Sequence, residues 1–126
     1  MSDISYQLIK KGLDVSSLRQ KTISSNIANA NTPNYKVNKV EFEEHLQKAI
    51  KGVSLIKTDG LHFGASKASD VEPIVKKRTN TMYNDNGNNV DIDLEMTELA
   101  ANEIYYSALT QIINAKLSSL NYVINR

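Results

Sequence analysis

The sequence predicts a mainly α-helical protein. Long N- and C-terminal helices pair as a coiled-coil-like bundle, and a short third helix and an irregular or small β segment lie between them. Three observations carry this expectation. Residues 4–31 contain one glycine, no proline and many good helix formers. From Asp91 to the end of the chain there is neither glycine nor proline. The remaining glycines and both prolines fall in the middle, where they punctuate short apolar runs. With 126 residues the chain has room for one domain of ordinary size. Its parts are 1–35 (helix and turn), 36–52 (short helix), 53–90 (loop or β) and 91–126 (helix).

The first helix has Ser2 or Asp3 as its N-cap. Tyr6, Ile9, Leu13, Ile23, Ile27 and Ala30 form an apolar seam that Ser16 and Gln20 interrupt, with Ile4, Leu8, Val15 and Leu18 on the neighbouring flank. It must stop near Asn31, because Pro33 has no N–H and forces Thr32 out of the α region. Proline suits the second position of a β-turn. Asn34 after it fits the positive φ of a type II turn, and a type I turn is also open.

A second helix is expected over residues 40–51. Glu41, Glu43 and Glu44 lie near its positive end and Lys48 and Lys51 near its negative end, with Gly52 as a stop and Phe42, Leu46, Ala49 and Ile50 as the buried stripe. No helical period holds over residues 52–89, so that stretch is either a small β element or a mobile loop. Asn86-Gly87 suits a type I′ turn, which would pair Met82-Tyr83 with residues 90–92 as a hairpin.

The last helix starts at Asp91 or Asp93, with Glu95 and Glu98 in its first turns. Leu99, Tyr106, Ile113 and Leu120 recur every seven residues. Leu109 and Val123, Leu117 and Ile124, and Tyr105 and Ile112 widen the stripe. From Leu99 onward only Glu103, Lys116 and Arg126 are charged. A helix that is apolar round most of its girth is buried, and this chain offers one long and one short partner helix to cover it. Each large apolar side chain left in water forgoes about 1.5–3 kcal/mol, against a total domain stability of about 5–15 kcal/mol. Burial by other chains is therefore favoured over a self-sufficient core. Ile9, Leu13, Ile23, Leu99, Tyr106, Ile113, Leu117, Leu120 and Ile124 are the candidate helix-packing contacts. Residues 22–34 carry no charge and are rich in small residues and asparagine, which suits close helix approach and the capping of orphaned carbonyls.

Several function classes are set aside. A net charge of +1 without a basic stripe argues against nucleic acid. The absence of cysteine removes disulfides, thiolate nucleophiles and zinc–thiolate sites. His45 and His62 have no partners at metal or triad spacing. Asp85, Asp91, Asp93 and Glu95 around Gly87 fail as a calcium loop, since Met82 would stand at the first ligand position. No phosphate loop or nucleophile elbow is present, and no enzyme chemistry, cofactor, metal or small-molecule substrate is expected. No apolar run reaches the roughly 18 residues of a membrane span, and the start lacks the pattern of a secretory signal.

The run Ser25-Asn26-Ile27-Ala28-Asn29-Ala30-Asn31-Thr32-Pro33-Asn34-Tyr35 resembles the N-terminal signature of the bacterial flagellar axial proteins, the rod and hook family. In that motif glycine usually follows the proline, where this chain has Asn34. Residues 87–102, followed by Tyr105-Tyr106, Ala108-Leu109 and Lys116-Leu117, resemble a rod branch of the family. The two regions cover about half of the chain, and its short length agrees. The resemblance implies a proximal rod subunit of the flagellar basal body. It would assemble through its terminal helices with other copies of itself and other flagellar rod proteins, beside the membrane-ring base and a rod adaptor protein. It also implies passage through the flagellar type III export gate without a cleaved signal peptide, with Ile4 and Leu8 near the free end as candidates for engaging the gate. Asn26, Ile27, Asn29, Asn31, Thr32, Pro33, Asn34 and Tyr35 would form the assembly motif. The alternative is a non-polymerising helical adaptor or binding module of an export apparatus, which would form a closed one-to-one complex where a rod subunit forms filaments.

Overall fold

A computed structural model describes residues 4–55, 68–79, 85 and 87–125. In chain order the elements are α1 (Ile4–Ala28), β1 (Asn38–Glu41), α2 (Glu43–Leu55), β2 (Ile74–Lys77) and α3 (Ile92–Ile124). The protein is mainly α, as expected. Its two terminal helices pack along one another and run antiparallel, since Gly12 meets Leu109, Ser16 meets Asn102 and Asn26 meets Glu95. Among the described residues no helix is long and apolar enough to cross a membrane.

α1 ends at Ala28, three residues before the expected Asn31. The chain tightens first, with Ala30 N–H on Ile27 C=O and Thr32 N–H on Asn29 C=O, both i→i−3 bonds. It then reverses through Thr32-Pro33-Asn34-Tyr35, closed by Tyr35 N–H on Thr32 C=O at 3.3 Å. Asn34 has φ +60°, so the turn is type II and asparagine supplies the left-handed conformation that would otherwise call for glycine. The expected N-cap at Ser2 or Asp3 lies outside the described residues.

Val40, placed by sequence at the start of the second helix, belongs instead to β1. The reason is packing, since Val40 turns onto Val15 and Phe42 in the buried cluster. α2 therefore begins at Glu43, with Glu43 and Glu44 in its first turn, and it runs through Gly52 to Leu55. One glycine costs an otherwise favourable helix only about 1 kcal/mol, too little to force a stop. Of the expected buried stripe, Phe42 is buried and Leu46 and Ala49 are partly buried, while Ile50 is 52% exposed.

The β element pairs different strands from those expected. β1 and β2 form a two-stranded antiparallel sheet with Asn38 opposite Lys77 and Glu41 opposite Ile74. Val90 and Asp91 are in no strand, and Ile92 already opens α3. Met82 and Tyr83, the proposed partners, lie outside the described residues. Asp91 is the α3 N-cap, and its carboxylate accepts from Leu94 N–H at 3.2 Å. Among the described residues the buried centre is small: Val15, Val40 and Phe42, flanked by Leu18, Leu46 and Val71. α1 is thus covered on one flank by β1 and the start of α2 and along another by α3.

The positive φ at Asn34 gives a direct test. Asn34→Gly is expected to unfold in urea within about 0.5 kcal/mol of the wild type, whereas Asn34→Val should lose about 1–2 kcal/mol. Equal stability of the two variants would show that the turn is not type II.

Candidate assembly interface

The asparagine-rich end of α1 is where the chain's segments are joined. Asn26 is only 1% exposed, and a primary amide buried there must find partners for two donors and two acceptor sites. All four are met. Its Nδ2 donates to Asn38 C=O (2.8 Å) and to Glu95 Oε2 (3.0 Å). Its Oδ1 accepts from Asn38 N–H (3.0 Å) and from the Tyr35 hydroxyl (3.0 Å). One side chain therefore binds the turn, the first strand and the last helix to α1.

Asn88 and Asn89 act from the other side. Asn88 is fully buried, and its Nδ2 lies within 2.8–2.9 Å of the carbonyls of Asn29, Ala30 and Thr32. These carbonyls lie where α1 ends and the turn begins, and those of Asn29 and Thr32 also accept from the N–H groups of Thr32 and Tyr35. Its Oδ1 accepts from Val90 N–H at 2.7 Å. The Asn89 amide stands between the two strands just beyond the sheet, accepting from Val37 N–H and donating to Arg78 C=O, each at 2.6 Å. Gly87 beside them has φ +78°, and a Cβ there would lie 2.5 Å from Asn34 Oδ1. Lys36 Nζ donates to Gly87 C=O.

Along the α1–α3 seam the contacts are polar at the centre. Ser16, an interruption in the predicted seam, is 0% exposed. Its hydroxyl donates to Asn102 Oδ1 and its carbonyl accepts from Asn102 Nδ2, both at 2.9 Å. Gln20 Oε1 accepts from the same amide at 3.3 Å. Gly12 gives Leu109 room, since an added Cβ would meet Leu109 Cδ1 at 3.0 Å. A cleft of about 360 Å³ opens where α1 and α3 meet β1, lined in part by Ile23, Glu95, Asn102 and Tyr105. At its rim Arg19 forms a two-pronged ion pair with Glu43 and donates to Val40 C=O. Those hydrogen bonds hold the Glu43 carboxyl below its usual range and raise the Arg19 guanidinium. On the strand, the Lys76 ammonium bonded to Glu41 lowers that carboxyl in the same way.

The predicted packing residues fall into two groups. Ile23 is buried, and Ile9, Leu13, Leu99 and Ile113 are partly buried. Tyr106, Leu117, Leu120 and Ile124 are exposed, Ile124 by 77%. Of the predicted motif, Asn26 and Tyr35 are in the network and Asn29 caps Ser25 C=O through its side chain. Ile27 is partly buried, and Asn31, Thr32, Pro33 and Asn34 lie on the surface of the turn. Sequence reasoning missed Gly12, Ser16, Asn88, Asn89, Glu95 and Asn102. The run of asparagines just before the α3 cap was the available signal for two of them.

A family model described as "Flagella basal body rod protein" matches residues 12–36, the greater part of α1 and the turn, which carry Gly12, Ser16, Asn26 and Tyr35. The flagellar basal body rod protein FlgB of Bacillus subtilis is 43% identical over 118 residues, covering 94% of this chain and 91% of that protein. The chain belongs to the FlgB family of flagellar basal body rod proteins. FlgB of Borreliella burgdorferi is 44% identical over 121 residues, 89% of each chain. FlgB of Salmonella typhimurium is 27% identical over 129 residues, 97% of this chain and 94% of its own. As a member of the FlgB family the chain is a structural rod subunit of the flagellar basal body.

The saturated amide of Asn26 leads to a specific expectation. Asn26→Ala should lower stability by at least about 2 kcal/mol, because it strands buried donors and acceptors. Asn26→Asp keeps both acceptor roles, loses both donations and sets a second carboxylate against Glu95. It should be the weaker variant at neutral pH and recover as acid protonates one of the pair. Urea unfolding at two pH values checks this, and a fully stable Asn26→Asp protein at neutral pH would refute the network.

Proposed function

We propose that this chain forms part of the proximal rod. In this reading α1 and α3 join further copies and other rod proteins in an axial tube that transmits torque and conducts exported subunits. The observation that carries the reading is the uncovered length of α3. With Gly12 opposite Leu109, the first described residue of α1 lies opposite about residue 117, so α3 extends some seven residues, or about 10 Å, beyond it. Tyr122, Val123 and Ile124 there are 66–77% exposed, and Ile104 and Ile112 are exposed further back. An apolar surface of this extent left exposed on one helix points to a protein–protein contact. Its shape is a helix flank rather than a cavity with convergent polar groups, which suits a structural role over a catalytic one. The membrane-ring base and a rod adaptor protein are the neighbours expected at the proximal end.

The reading includes passage through the flagellar type III export gate without a cleaved signal. Ile4 stands at the start of α1, 38% exposed, with Leu8 one turn on.

Two outcomes are expected. Val123→Ser with Ile124→Ser, at exposed positions, should leave the stability of the isolated chain within about 0.5 kcal/mol. The same pair should reduce incorporation into purified basal bodies at least about tenfold, and normal incorporation would count against the interface. Ile4→Ser with Leu8→Ser should lower secretion of the chain, read by immunoblot of culture supernatants. Undiminished secretion would remove the export role of these two residues.

A further inference from the structure

The two outer edges of the sheet are treated differently by the fold. Arg78 N–H donates to Val37 C=O at 2.9 Å, which sets the phase of the ladder. With Val40 opposite Val75 and Asn38 opposite Lys77, the backbone groups of Lys39, Glu41, Ile74 and Lys76 face across the ladder. Those of Asn38, Val40, Val75 and Lys77 face outward. On β1 three of the four outward groups are met by α1. Asn26 takes both the N–H and the C=O of Asn38, as a neighbouring strand would, and Arg19 donates to Val40 C=O at 3.3 Å. On β2 the outward N–H and C=O groups of Val75 and Lys77 have no such partner among the described residues. All four residues of β2 are exposed, Val75 by 49%.

An open edge is a template for one more strand, with main-chain bonds giving affinity and side chains giving selectivity. Charge identifies the strand it suits. Within the two strands Lys39, Lys76 and Lys77 stand against the single carboxylate of Glu41, which Lys76 Nζ engages at 3.1 Å, and Arg78 follows directly on β2. A chain of net charge +1 thus carries two more positive than negative charges in these eight paired residues. The β2 edge of a second copy would set lysines against lysines, which disfavours self-pairing.

We propose that the outer edge of β2 receives an extended acidic segment of a neighbouring protein, which adds to the sheet as a third strand. The segment's backbone pairs with Val75 and Lys77, and its carboxylates lie against Lys77 and Arg78. An apolar residue of the segment covers Val75. The proposal rests on the rod reading for the place where such a neighbour is met.

The test puts the photo-crosslinker p-benzoylphenylalanine at Ile74, which is 40% exposed, in the full chain within purified basal bodies. Cross-linked peptides are sequenced by mass spectrometry, and an immunoblot reads the presence of the chain separately. The expected result is one predominant cross-link to a stretch of another protein in which acidic residues recur. Val75→Pro removes only an outward N–H and spares the ladder to β1. It should lower the cross-link yield at least about tenfold, as should Lys77→Glu, while Lys77→Arg leaves the yield unchanged. If Val75→Pro does not enter basal bodies, the Lys77 pair and the identity of the cross-linked peptide decide. A cross-link to the β2 of a second copy or to a helix would overturn the proposal. So would a yield indifferent to Lys77→Glu, or no cross-link from a chain that is present, in which case the lysines merely guard the edge. Absence of the chain from basal bodies would instead overturn the rod reading, and the proposal with it.

Discussion

The structure turns on the primary amide of Asn26. Its two hydrogens and two lone-pair sites are each used, on the backbone of Asn38, the hydroxyl of Tyr35 and the carboxylate of Glu95. No other side chain offers two donors and two acceptors on so short a stem. Aspartate loses the donors, glutamine moves the amide by a methylene, and leucine leaves four polar groups without partners. Because those four groups belong to three separate segments, one residue sets the angle at which α1 meets the sheet, the turn and α3. Buried polar groups of this kind cost most when half satisfied and add rigidity when fully satisfied.

The reliance on amides goes with how little apolar material the described residues bury together. Among the described residues the buried cluster is small, with Val15, Val40 and Phe42. Many of the larger apolar side chains of α3 point elsewhere, with Ile104, Tyr122 and Ile124 among the most exposed. A rod subunit that spent those side chains on its own core would have none left for its neighbours. The lone chain is held instead by directional contacts that specify register. Ser16 with Asn102 and Asn26 with Glu95 are not interchangeable along the seam as leucines would be.

The parts of this arrangement that were legible in the sequence are the ones set by local chemistry. The helix-forming ends, the stop before Pro33 and the Asp91 cap depend on neighbours a few residues away, and the unusual girth of α3 is a matter of composition. Val40 was misassigned because its strand conformation is set by packing on Val15, which local propensity does not register. Ser16 looked like a defect in an apolar seam because its partner Asn102 is 86 residues distant. Asparagine usually bonds its own nearby backbone, as Asn88 Oδ1 does with Val90 N–H, and Asn88 and Asn89 had no role in the sequence reading beyond that. Their amides also reach the carbonyls of α1 and the gap between the strands, and the asparagine run marks the residues without naming those partners.

The placement of these contacts makes the molecule unequal along its length. At one pole Asn26, Asn88 and Asn89 join the end of α1, the turn, the sheet and the start of α3. Toward the other pole the seam passes from Ser16 and Asn102 to Gly12 and Leu109, and then to exposed apolar residues. Local stability follows contact density and the burial of backbone bonds, so it should fall from the first pole to the second. Neighbouring subunits would add contacts where the lone chain has fewest, and ordering there would come with assembly. The register would already be fixed by the asparagines, so incoming helices would meet a surface whose geometry is set even though its far end is not yet buried.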